Sequence, residues 1–260
     1  MSFKLKDRIQ SYKDAADHKL MNRLPTIISV NGRAFQKSTS LLDKPFCDEF
    51  STCMISTMSY LCNQIDGVCF AYHFNDEIIL VLRNDQSFDT QAWCDNKIQK
   101  IASLTSSIST LYFNQLVSAT ELNILNDAVF YTQVFSTPSI QEAINTIIFK
   151  QQSNFYSSVN YACFYELLNK YNEGSIKEMM QGLSIDEKKD LLSEECQIEF
   201  NNYPSIFRKG AASYKVPKIV DGKIKQKWAV NKDVPVFSKD VNFLTNIFKQ
   251  GADIIRQDSF

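Results

Sequence analysis

Ser29-Val30-Asn31-Gly32-Arg33-Ala34-Phe35 and, further along, Tyr72-His73-Phe74-Asn75-Asp76-Glu77-Ile78 are the two stretches that decide how this chain folds. Each stands at the polar end of an apolar, strand-like run, so pairing the two runs brings Asn31 and Asp76 together at one edge of a sheet. The run from Leu24 to Val30 is largely β-branched and apolar, while Val68 to Tyr72 and Ile78 to Leu82 flank Phe74-Asn75-Asp76-Glu77 as two strands around a tight turn. Gly32, just beyond the first run, leaves the backbone open to close approach by a phosphorylated ligand. Acidic residues at a hairpin tip are most often solvated turn residues, so the turn by itself does not establish a site.

Working outward, a mixed-charge N-terminal segment precedes the strand that ends at Asn31. A loop through Pro45 then leads into a long amphipathic helix over roughly Cys47 to Ile65. After the hairpin around Asp76, a second long helix runs from near Asp89-Thr90 to about Leu116, and the alternation from Asp127 to Phe135 reads as a strand. The order β-α-β-β-α-β is the split βαβ topology, with a mostly antiparallel sheet and helices on one face. Ser139 and Glu142 have capping-box spacing and open a helix that runs to about Lys170; Ser175 with Glu178 and Ser184 with Glu187 repeat that spacing. The expected fold is therefore α+β. A palm-like βαββαβ antiparallel sheet with helices fills residues 1–138, and a C-terminal helical and β-hairpin appendage, residues 139–260, packs on it. Many functions share that topology, so the fold alone does not argue for catalysis.

The chain has 28 basic against 29 acidic side chains, so any nucleic-acid partner has to be held by a local patch rather than by net charge. One such patch is legible. From Arg208 to Lys232 stand Arg208, Lys209, Lys215, Lys218, Lys223, Lys225, Lys227 and Lys232, against Asp221 alone. Asp221-Gly222 between two short alternating runs is a hairpin signal, so several lysines project from one ribbon. Such a ribbon can track a phosphate backbone, or its charges can guard an edge strand against aggregation. Lys97 and Lys100, three apart on the second long helix, are a further candidate phosphate contact or a solvated helix face.

Other classes are excluded. There is no Gly-x-x-x-x-Gly-Lys loop, and His18 and His73 lack metal-ligand spacing. No apolar stretch reaches transmembrane length, and Ser2 to Arg8 lacks the hydrophobic core of a signal peptide, so the chain reads as cytoplasmic with no membrane partner. The seven cysteines are scattered and never form a Cys-x-x-Cys pair, as expected of small core hydrophobes in a reducing compartment.

Asn31-Gly32-Arg33-Ala34-Phe35 resembles the Asp-Gly-Arg-x-Phe motif of the tRNA(His) guanylyltransferase family, especially its shorter Thg-like members. Asn75-Asp76-Glu77 resembles that family's Ser-Asp-Glu, and Lys44-Pro45-Phe46 the turn before its first helix. Ser184 to Leu192, Asn202-Tyr203-Pro204, Arg208-Lys209-Gly210, Trp228 and Pro235-x-Phe237 follow the family's order as well. The resemblance implies a metal-dependent nucleotidyltransferase that adds nucleotides to the 5′ end of tRNA or a tRNA-like RNA in the 3′-to-5′ direction. It further implies nucleoside triphosphates (GTP or ATP), two Mg²⁺ ions and a homo-oligomer, dimer or tetramer, to which the apolar helix from Ile140 to Leu168 can supply an interface. Carried onto this chain, the catalytic group is Asp76, Glu77 and Asn31, with Asn31, the Gly32 carbonyl and Asp76 as metal ligands. Gly32, Arg33, Ala34, Phe35, Gln36 and Lys44 are the nucleotide contacts, and Lys97, Lys100, Arg208, Lys209, Lys223 and Lys225 the RNA or phosphate contacts.

The chain departs from the family pattern in one decisive place. Asn31 offers a single neutral carbonyl oxygen where the family has a carboxylate, which weakens Mg²⁺ binding and disfavours bridging two ions. Gln36 stands where His is usual, Cys47 where Asp is usual, and Tyr131 and Gln133 replace charged residues of a Phe-Asp-x-Arg-Val strand. The alternative reading is accordingly a catalytically impaired relative that binds nucleotide or tRNA.

Overall fold

The computed structural model describes residues 4–87, 89–120, 122, 125, 127–220 and 223–249; of Gln36, Ser38 and Val220 only the backbone is described. Strand β1 (Thr26–Gly32) is buried on both faces through Val30, which suits a central strand. It pairs antiparallel with β3 (Glu77–Leu82) on one side and β4 (Phe130–Ser136) on the other. β2 (Val68–Phe74) pairs with β3, completing the expected βαββαβ unit with helices α3 (Asp48–Gln64) and α4 (Ile98–Ser118) as its crossovers.

Period-2 alternation sorts the strands onto two cores. Ile28, Val30, Ala71, Ile78 and Leu80 face α3 and α4, with Met54, Met58, Leu61, Ile101 and Phe113. Ile27, Phe70, Tyr72, Ile79 and Val81 face the opposite way, against Ala143, Ile144 and Ile147 of α5 (Ile140–Leu167) and Leu244 and Phe248 of α9 (Val241–Lys249). The second face is thus covered by the C-terminal half of the chain.

That half also extends the sheet. β5 (Ala211–Val220) pairs with β2 from Phe70↔Tyr214 to His73↔Ala211, and β6 (Lys223–Asn231) pairs with β5, giving the order β4-β1-β3-β2-β5-β6. The hairpin expected around residues 221–222 exists in its strands, which pair as far as Val220↔Lys223; the two turn residues lie outside the described residues. Entry into β5 requires Gly210, whose φ is +79° and whose added Cβ would lie 2.5 Å from the His73 carbonyl oxygen. Gln151 of α5, buried, fixes the returning chain: its amide donates to the carbonyls of Lys209 and Pro235 and accepts from the Phe237 amide at 2.7 Å.

Two helix starts differ from the sequence reading. α4 begins at Ile98 rather than near Asp89, because Cys94, Asp95 and Asn96 adopt left-handed backbone that a helix cannot include. α6 (Glu173–Met180) is capped by Asn172, whose side chain accepts from the Ser175 amide, so Ser175 lies inside the helix. α7 (Ile185–Cys196) carries the full Ser184–Glu187 capping box, whereas at α5 only Ser139 caps. Helices α1 (Leu5–Ala16), α2 (Phe35–Ser38) and α8 (Ser205–Lys209) complete the described α-helices, and no described helix is long and apolar enough to cross a membrane.

Candidate active site

The two motif halves meet where the sequence places them. Asn31 is the cross-strand partner of Glu77, and the Gly32 amide donates to the Asp76 carbonyl at 3.1 Å. The turn between β2 and β3 is tight because Asn75 takes a left-handed conformation, φ 51°, which Asn tolerates better than most residues. Asp76 follows it and is half-buried, and no side chain donates to its carboxylate among the described residues. Burial chiefly, with the charge of Glu77 adding, raises its carboxyl above the ordinary range despite a hydrogen bond from its own backbone amide. An uncompensated carboxylate at the end of a sheet is a place where a cation is favoured.

Asn31 and Glu77 are differently committed. The Asn31 Nδ2 donates to Ser29 Oγ at 2.9 Å, Ser29 Oγ donates to Glu77 Oε1 at 2.7 Å, and the same Oε1 accepts from Lys150 Nζ of α5 at 2.7 Å. Across β1 from these residues stand Tyr131, paired with Asn31, and Gln133, paired with Ser29, neither of them charged.

Asp76 opens onto a cleft of about 510 Å³ between the loop before α3, the β2–β3 turn, α5 and α8, large enough for a nucleotide. Lys44 stands on its wall. Its ammonium donates to the Thr39 carbonyl at 2.8 Å and the Tyr161 hydroxyl at 2.6 Å, and lies 5.0 Å from the Tyr165 ring centroid. No carboxylate pairs with it among the described residues, which leaves a cation facing the cleft beside flat aromatic surface. Burial raises the Tyr161 phenol, with the adjacent Tyr165 hydroxyl opposing and the charge of Asp76 adding.

Gly32 has a different occupant from the one its motif suggests. A Cβ there would fall 2.4 Å from Phe35 Cγ, so the space above the glycine is filled by the Phe35 ring rather than left open to a ligand. Phe35 is 3% exposed, packs on Phe50, Phe113 and Phe130, and forms only an inner wall of the cleft. Arg33 and Ala34 are exposed, with the Arg33 amide bound to the Val129 carbonyl and Ala34 left-handed at φ 57°. The Gln36 side chain lies outside the described residues.

The basic candidates divide. Lys97 precedes α4 as its N-cap instead of sharing a helix face with Lys100, and is held by Asp17 at 2.5 Å. Lys100 is exposed in the first turn of α4. Arg208 donates to the Tyr203 carbonyl and Lys209 pairs with Asp233 at 2.8 Å, so both are engaged within the fold. Lys223 and Lys225 are exposed on the ribbon, where the register puts Lys218, Lys223, Lys225 and Lys227 on one face and Lys215, Ile219 and Ile224 on the other. Lys218 lies directly opposite Lys225, a like-charge pair that costs stability unless an anion sits between them.

Lys150 and Tyr165 join the site without having been singled out in the sequence, Ser29 was quoted there only as part of the first strand, and Tyr161, read as an interface residue of the long helix, lines the cleft instead. Lys150 and the tyrosines sit on α5 among other polar and aromatic residues, and only the packing of α5 against the sheet end tells them apart. His73, 1% exposed, is held neutral, with burial lowering its imidazole to about 4 against a hydrogen bond to the Glu77 carbonyl. No cluster of three or more metal-ligating side chains occurs among the described residues.

Similarity to known proteins runs along nearly the whole chain. The family model for tRNAHis guanylyltransferase matches residues 6–138, and that for the Thg1 C terminal domain matches residues 147–256. A probable tRNA(His) guanylyltransferase of Dictyostelium discoideum is 21% identical over 207 residues, covering 76% of this chain and 78% of that protein. A bacterial tRNA(His) guanylyltransferase (Thg1)-like protein solved in complex with ATP superposes with a TM-score of 0.82 at 26% identity, over 94% of this chain and 98% of the other. One solved in complex with GTP gives 0.72 at 24% identity over the same shares. With both family regions matched in order, and the motif halves joined at one sheet end, the chain belongs to the tRNA(His) guanylyltransferase family.

Proposed function

We propose that this protein transfers nucleotides from a nucleoside triphosphate to the 5′ end of tRNA or a tRNA-like RNA, in the 3′-to-5′ direction. The observation that carries the reading is the presence, in one cleft, of the Asp76 carboxylate, to which no described side chain donates, and the Lys44 ammonium, which no described carboxylate neutralises. Lys44 suits the negative phosphates of a triphosphate, and Tyr161 and Tyr165 offer rings on which a base can stack. In the activating step an RNA 5′-phosphate oxygen attacks the α-phosphorus of the triphosphate and pyrophosphate leaves. In the second, the 3′-hydroxyl of the incoming nucleotide attacks the activated 5′-phosphorus and the nucleoside monophosphate leaves. Both steps gather negative charge, which Lys44 offsets by position. The exposed lysine face of the ribbon supports an RNA partner, held through its phosphates.

The two Mg²⁺ ions that the family implies fit these residues poorly. Asn31 is neutral and bound to Ser29, and Glu77 is neutralised by Lys150, which leaves Asp76 as the uncommitted carboxylate of these three. No step is therefore routed through a metal pair. The same observation favours the second reading, a relative that binds nucleotide or tRNA without transfer. Incubating the protein with labelled ATP or GTP, Mg²⁺ and 5′-monophosphorylated, 5′-truncated tRNA separates them. We expect extension at the 5′ end, abolished by Asp76→Asn and strongly reduced by Lys44→Met. Triphosphate binding with no extension of any RNA selects the binding-only reading, and no triphosphate binding rejects the site.

A further inference from the structure

The two edges of the sheet are finished differently. β6 carries Lys223, Lys225 and Lys227, the kind of charge that keeps an edge strand from pairing with another chain. β4, Phe130-Tyr131-Thr132-Gln133-Val134-Phe135-Ser136, carries no charge, no proline and no bulge, and its register with β1 runs unbroken from Thr26↔Ser136 to Gly32↔Phe130. Its outward backbone groups can be assigned. The Arg33 amide donates to the Val129 carbonyl and the Thr137 amide to the Pro25 carbonyl. Antiparallel bonding alternates, so the odd-numbered residues bond β1, while Phe130, Thr132, Val134 and Ser136 turn their backbone groups away from the sheet. Thr110 Oγ1 of α4 takes the Phe130 amide at 3.0 Å, but no described group bonds the backbone of Thr132 or Val134 on that side. The Thr132 side chain faces α4, where its Oγ1 accepts from Ser106. On the opposite face Tyr131 is 49% and Phe135 41% exposed, with Gln133, also exposed, between them.

We propose that β4 is where a second copy of this chain docks, strand to strand and antiparallel about a two-fold axis through Gln133, so that both protomers share one continuous sheet. The strand is self-complementary about that residue. Thr132 meets the partner's Val134 and exchanges both backbone bonds with it, and the axis repeats the exchange. Tyr131 then lies opposite the partner's Phe135 in the closer, non-hydrogen-bonded kind of pair, which merges the exposed rings of both copies into one covered patch. Charge agrees with this occupant: nothing on β4 repels its own copy, whereas the same pairing at β6 would set lysine against lysine. The lack of Lys and Arg from Val129 to Ser136 also argues against an RNA backbone here, because phosphates are held by cations. Tyr131 is the cross-strand neighbour of Asn31, so the interface adjoins the sheet end that carries the candidate site.

Gel filtration with light scattering on the full chain tests it. The wild type should run as an assembly, and Gln133→Lys and Gln133→Glu, each of which sets like charges face to face across the axis, should each weaken the association about tenfold or more and halve the mass. Mixing the two variants should restore it, because a Lys facing a Glu rescues only a position that meets its own copy. Gln133→Cys should form a cross-linked dimer through residue 133 on oxidation, since directly opposed residues of that pair type lie within disulfide reach; this readout stands even if the charged variants fail to fold. A monomeric wild type, or no cross-link through residue 133, overturns the proposal. An assembly that both folded charged variants leave intact overturns it in favour of another face, such as α5. A monomeric wild type whose tRNA binding falls with Tyr131→Ala or Phe135→Ala overturns it in favour of an RNA surface.

Discussion

At the scale of single residues, Gly32 shows how a motif can be right in position and have an unexpected physical cause. Its missing side chain makes room for the Phe35 ring, which closes the core of four phenylalanines beneath the sheet end. Gly32→Ala should therefore destabilise the fold by about 1–3 kcal/mol through overpacking, read as a lower denaturation midpoint. Phe35→Leu in the same chain should recover part of that loss, so the double mutant is more stable than the sum of the single changes. Additive losses would mean that the ring and the glycine are not in contention. The meeting of the two motif halves at one sheet end was legible because alternation fixes which strand ends pair, although the register sets Asn31 opposite Glu77 and Gly32 against Asp76; the claim of Phe35 on Gly32 was not, because it depends on a ring arriving from three residues along a turn.

At the scale of elements, the ribbon of β5 and β6 outruns the sheet: β2 pairs with it only as far as Tyr214, and past Trp228, which still packs on the core, the two strands extend together as an exposed ribbon. Its two faces differ in chemistry, and they should differ in function. Changing Lys218, Lys225 and Lys227 together to Gln should weaken tRNA binding and flatten its salt dependence by about one unit of slope per lost contact. Lys215→Gln, on the other face with its ammonium 5.3 Å from the Trp228 ring centroid, should leave affinity and slope unchanged. Equal effects from both sets would reduce the ribbon to a diffuse positive charge. The hairpin and its lysines were readable from the sequence, since turn signal and alternation are local properties. The late start of α4 was not, because the left-handed residues before it are held by distant contacts such as the Asn96 amide on Asn22.

At the scale of the molecule, the C-terminal region is joined to the sheet domain by a broad apolar face under α5 and α9 and by β5 on β2, and a few buried polar groups fix its register there. Gln151 satisfies three backbone groups at once, on both sides of the ribbon. Gln151→Leu keeps the bulk and leaves those groups unpaired, so it should cost about 2–4 kcal/mol and make the chain after Lys209 more sensitive to protease. A loss well under 1 kcal/mol would mean that water takes over the three bonds. None of this was visible in the sequence, where Gln151 is one of two adjacent glutamines in a helix.

Because β2 is paired on its outer side by a strand that begins only at Ala211, the sheet is completed by a segment made long after β1 to β4. While the chain is being synthesised, the outer backbone groups of β2 wait for a partner at the far end of the sequence. That closure is non-local and correspondingly slow, and until it happens the nascent chain carries an open strand edge flanked by Phe70 and Tyr72. A fragment ending after the fourth strand therefore contains the motif residues, yet presents a sticky, unfinished sheet.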